Sequence, residues 1–74
     1  MDLKDFTLNF AEQFEDEDRE KIASTTIFKN LDGWDSLTTM LVIAMIKTEC
    51  GKDITALEIR SCDSVQDLFN FIYN

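Results

Sequence analysis

The sequence predicts an all-α fold, a small bundle of three longer helices and one short helix with a long first loop, and three observations carry that prediction. Apolar residues recur at steps of three and four in three separate stretches, which is helix spacing. Cap-forming residues stand ahead of each stretch, and no alternating run of useful length marks a strand. The chain has no proline and two glycines, so little interrupts these runs. Its 74 residues make a single domain, 1–74, near the size at which one core only just offsets chain entropy.

The first helix opens at Asp2, a ready cap, and buries the stripe Leu3, Phe6, Phe10 and Phe14. The acids Glu15, Asp16, Glu17 and Asp18 close it, because negative charge at a helix C-terminus opposes the macrodipole. Residues 16 to 35 have no long periodicity, yet Ile22, Ile27, Phe28, Leu31 and Trp34 are scattered through them. A structureless loop of this length is uncommon, so these side chains are expected to pin it to the core, with a helical turn around residues 18 to 23. The acids there do not match the ligand spacing of a calcium loop.

The longest helix is predicted from Ser36 to Cys50, with Val42, Ile43, Ile46 and Cys50 on the core face and Thr39 beside them. Leu37, Leu41, Ala44 and Thr48 fall opposite, flanked by Met40 and Met45, and Gly51 supplies the stop. Thr55-Ala56-Leu57-Glu58 has the form of a capping box and opens a helix of about two turns with Leu57, and Ile59 beside it, facing inward. Asp63 and Ser64 cap the last helix, whose Val65, Leu68, Phe69 and Ile72 share a face.

Composition narrows the function. Hydrophobic residues at 45%, six of them Phe, suffice for a core. Fifteen acids against seven bases give a net charge of -8, which argues against a nucleic-acid ligand and favours a basic protein partner. The same charge opposes compaction, so salt is expected to raise the melting temperature. With no His, the commonest general base and the commonest metal ligand are missing, and no Ser or Cys triad can be assembled. A Gly-rich phosphate loop is also missing, so the chain is not expected to be an enzyme by itself. Cys50 and Cys62 lack metal-site or redox spacing and read as reduced core thiols. Neither a signal peptide nor a membrane-spanning run is evident, which points to the cytoplasm and to no membrane insertion.

The turn Leu31-Asp32-Gly33-Trp34-Asp35-Ser36-Leu37 carries the chemistry. It places the Ser36 hydroxyl at a helix start, where unpaired amides and the macrodipole favour a phosphate. Asp and Ser ahead of a helix are also simply preferred caps, and the dipeptide alone does not separate the two roles.

Gly33-Trp34-Asp35-Ser36-Leu37, its mid-chain position, the helical layout and the acidic balance together resemble an acyl carrier protein, over essentially the whole chain from Leu3 to Ile72. The resemblance implies a bundle of the acyl-carrier type in which Ser36 receives phosphopantetheine from coenzyme A through a phosphodiester. It implies that Asp35 helps bind Mg2+ in the complex with the phosphopantetheinyl transferase, and that Leu37 contacts partner enzymes. Ile54 and Ser64-Val65-Gln66 also fall where that family has similar residues. The thiol of the arm would hold acyl groups as thioesters, with no catalytic residue needed in the carrier. The partners implied are the transferase and the enzymes that load and remove acyl groups; the carrier is expected to be a monomer.

Fatty-acid carriers of that family present acids along the exposed face of the second helix. Here Thr38, Leu41, Lys47 and Thr48 stand there, and the acidity moves to Glu12–Glu20, where six acids face one Arg. Leu37, Met40, Leu41 and Met45 are therefore expected to form an apolar docking stripe, with some of the methionines alternatively packed inside. This departure puts a housekeeping role in fatty-acid synthesis in doubt and makes a specialised pathway, polyketide-like or glycan-acylating, at least as strong an expectation. Ile43, Ala44, Ile46, Leu57 and Ile59 are candidates to line an acyl cleft. The competing reading is a small helical interaction module with no prosthetic group.

Overall fold

The computed structural model describes residues 1–15 and 19–74. Its α-helices are α1 (Leu3–Ala11), α2 (Ser36–Met45), α3 (Ala56–Arg60) and α4 (Val65–Tyr73), and no β-strand occurs among the described residues. The expected all-helical bundle is present. Asp16, Glu17 and Asp18, expected at the turn closing the first helix, lie outside the described residues.

Asp2 caps α1 as the sequence suggests, its carboxylate accepting from the Asp5 amide at 2.8 Å. The helix stops at Ala11, before the acids. Gln13 and Phe14 then donate to the carbonyls of Phe10 and Ala11, tightening the chain so that Phe14 stays in the core just beyond the helix. Phe10 is the hub of an aromatic cluster, with ring centroids 5.5 Å from Phe14, 5.5 Å from Phe28 and 6.2 Å from Trp34. Phe6 extends it to Phe69 on α4, at 5.5 Å.

The long loop is pinned as expected through Ile22 and Phe28, both buried, and contains 3-10 turns at Arg19–Lys21 and Phe28–Asn30. Ile27, by contrast, is 41% exposed. Backbone bonding holds the loop to α4: Val65 donates to Thr26, Gln66 to Ser24, and Phe28 to Asp63. Helix α4 leaves its first amides without partners inside the helix, and the loop carbonyls accept two of them. Ser64 accepts a third, from the Asp67 amide, while the Asp67 carboxylate accepts from the Ser64 amide.

Helix α2 begins at Ser36 as predicted but changes pitch, and Ile46–Cys50 forms a π-helical turn. Gly51 ends it at φ 67, the left-handed conformation that glycine adopts without a Cβ clash. Val42, Met45 and Ile46 are buried; Ile43 and Cys50 are half-buried. The capping box of α3 is present, Thr55 accepting from the Glu58 amide and Glu58 from the Thr55 amide. Its facing corrects the expectation, however: Ile59 is fully buried and Leu57 is 72% exposed. The helix has five residues, so only one narrow face meets the core, and Ile59 takes it.

Candidate functional site

The site is built at the start of α2. Asp35, not Ser36, is the N-cap: its Oδ1 accepts from the Thr38 amide at 2.8 Å. That amide holds the Asp35 carboxyl below the usual carboxylate range, so Asp35 is an anion at neutral pH. The neighbouring hydroxyls are also committed to the turn. Thr38 donates to the Gly33 carbonyl and Thr39 to the Asp35 carbonyl, each at 2.8 Å.

Ser36 is thereby released from capping. It occupies the first helical position, it is exposed, and its hydroxyl has no hydrogen-bond partner among the described residues. No protein-family model and no curated protein matches this chain.

Two hollows flank the start of α2. One, of about 340 Å³, lies between α2 and α3 and has Trp34, Ser36, Met40, Ala56 and Arg60 in its walls. The other, of about 450 Å³, lies toward the end of α1 and is lined by Glu15, Asp32, Asp35, Leu37, Thr38 and Leu41. Asp35 belongs to both, and Ser36 opens only into the first.

The expected docking stripe is divided by this arrangement. Leu37 and Met40 are 64% and 62% exposed, but on different hollows, and Leu41 is half-buried beside Leu37. Met45 is 5% exposed and belongs to the core. It follows Ser36 by about two and a half helical turns, which points it to the opposite side. The exposed Leu57 of α3 joins Leu37 and Met40 as a large surface apolar residue. Of the cleft candidates, Ile46 and Ile59 are buried and Ile43 is half-buried, whereas Ala44 and Leu57 face outward.

Sequence reasoning missed Ala56 and Arg60 as neighbours of Ser36. Nothing local to either residue signals that adjacency, which arises when α3 packs on α2. Among the described residues no group of three or more His, Cys, Asp or Glu is placed to hold a metal ion, and no helix is long and apolar enough to cross a membrane. Both cysteines are free thiols, Cys62 buried and Cys50 half-buried.

Proposed function

We propose that this chain is a carrier of the acyl-carrier type, with a phosphopantetheine arm attached at Ser36. The observation that carries the reading is the division of labour at the head of α2: Asp35 caps the helix and leaves the Ser36 hydroxyl exposed and uncommitted. A serine serving only as a cap would direct its oxygen at the amide of the second or third helical residue. Here the Asp35 carboxylate accepts from that amide.

The residues fit the group. A phosphodiester on the Ser36 oxygen would sit at the positive end of a ten-residue helix, and the hollow toward α3 offers room for the arm to lie down. The arm, when attached, supplies a thiol that activates acyl groups as thioesters. The chain's own part is to present the attachment point, keep it rigid through the Asp35 and Thr38 bonds, and offer surfaces to partners. Asp35, anionic and exposed, would also help hold Mg2+ in the complex with the loading transferase. Leu37, Met40 and Leu41 would meet partner enzymes through apolar contact, which depends less on salt than charge pairing does.

The exposed Leu37, Met40 and Leu57 would equally suit a helical interaction module without a prosthetic group. One measurement separates the two. Incubation with coenzyme A, Mg2+ and a phosphopantetheinyl transferase of broad specificity is expected to add the mass of one phosphopantetheine, and Ser36→Ala is expected to abolish the gain. An unchanged mass for the parent chain would leave the interaction module as the better reading.

A further inference from the structure

We propose that Arg60 is the anion partner of the group carried by Ser36, pairing with its phosphodiester across the groove between α2 and α3. The inference rests on the reading of Ser36 as the attachment point. It adds a binding residue, and a direction in which the arm lies.

Ser36 and Arg60 are walls of one hollow, with Met40 and Ala56 also lining it. The groove therefore offers a cation and apolar surface together, the two requirements of an arm that is anionic at its root and uncharged beyond it. Arg60 is exposed and enters neither ion pair found among the described residues. Lys29 pairs with Asp63 at 3.1 Å, and Lys47 with Asp53 at 2.9 Å.

Lys29, at the same end of α3, is committed elsewhere. Its ammonium donates to the Arg60 carbonyl at 2.8 Å and faces Asp63, so it ties the loop to the helix end. A basic residue in the last turn of a helix complements the macrodipole, and Arg60 does so. That role needs no particular direction around the helix. Its place in the wall of the hollow that Ser36 also lines puts Arg60 on the side of α3 that faces α2.

Asp35 stands on the same groove and would repel an anion on Ser36. Its carboxylate is engaged with the Thr38 amide, so the repulsion is fixed in place and the opposing cation is Arg60. A guanidinium suits the task because it stays charged and presents a planar fork of donors that matches phosphate oxygens.

The test follows the side-chain Nε–Hε resonances of the chain's two arginines by NMR before and after enzymatic loading, with intact mass confirming the arm. Arg19, which donates from Nε to the Phe14 carbonyl, is the internal reference. The expected result is that loading moves the Arg60 resonance and leaves that of Arg19 in place, with the shift shrinking as salt is added. Loaded Arg60→Gln is expected to show arm amide resonances closer to those of free pantetheine than loaded parent protein does. An Arg60 resonance unmoved in fully loaded protein, or identical arm resonances in the two loaded forms, overturns the inference while the attachment reading stands. Absence of any mass gain overturns the attachment reading, and the inference with it.

Discussion

At the scale of single residues, the head of α2 depends on which oxygen satisfies which amide. Asp35 accepts from Thr38, and its folded-state pKa is depressed by that bond; Asp67 on α4 is depressed likewise by the Ser64 amide. A depressed carboxyl contributes stability that is present above its unfolded pKa of about 3.9 and is lost as pH falls through the lower folded value. Thermal melts are therefore expected to lose stability below about pH 4. Asp35→Asn, which keeps a capping oxygen but cannot titrate, should flatten that acid limb while Asp35→Ala lowers stability at neutral pH. An acid limb identical in Asp35→Asn and the parent chain would refute the assignment. The Asp-Ser pair was legible as a helix start from the sequence, because both residues are strong cap formers. Which of them caps was not, since that depends on a carboxylate rotamer and on Thr38 turning its own hydroxyl back to Gly33. Arg60 was illegible as a neighbour of Ser36 for a different reason: tertiary packing, not spacing, brings them together.

At the scale of elements, the helices with several turns were read well and the short or distorted ones less so. Helix α1 declares its stripe through Phe6 and Phe10, and α4 through Val65 and Leu68, all four buried. Helix α3 has five residues, too few for a periodicity to distinguish Leu57 from Ile59: the pattern places both inward, and only Ile59 is buried. On α2 apolar residues occur nearly all round, so the pattern could not separate Met40 outside from Met45 inside. Its π-helical turn leaves no sequence signature, although its end does, at Gly51. A Cβ added at Gly51 would meet nothing within 4 Å, so the cost of substitution there is conformational alone. Gly51→Ala is expected to destabilise by about 1–2 kcal/mol, the price of a left-handed L-residue. Urea unfolding checks this, and a neutral Gly51→Ala would show that the helix end relaxes freely.

At the scale of the whole molecule, one aromatic cluster works against a large like charge. Phe10 touches rings contributed by α1, the long loop and the residues just before α2, so its removal loosens three segments together. Phe10→Ala is expected to cost about 3–5 kcal/mol. Stability in domains is on the order of 0.05–0.15 kcal/mol per residue, so that loss takes much of what 74 residues provide. Circular dichroism in urea should place the midpoint far below that of the parent. The net charge of -8 acts in the opposite sense throughout the fold. Moderate salt should therefore raise the melting temperature, and coincident melts at low and moderate salt would count against self-repulsion as a significant term.

Trp34 belongs to both halves of this description. Its indole lies 4.8 Å, centroid to centroid, from Phe28 in the core, and it also forms part of the groove beside Ser36. It is the chain's single tryptophan. Whatever settles in that groove changes the surroundings of a fluorophore whose other side is fixed in the folded interior. The molecule thus carries an intrinsic optical signal for occupancy at Ser36, with no label added and no second indole to obscure it.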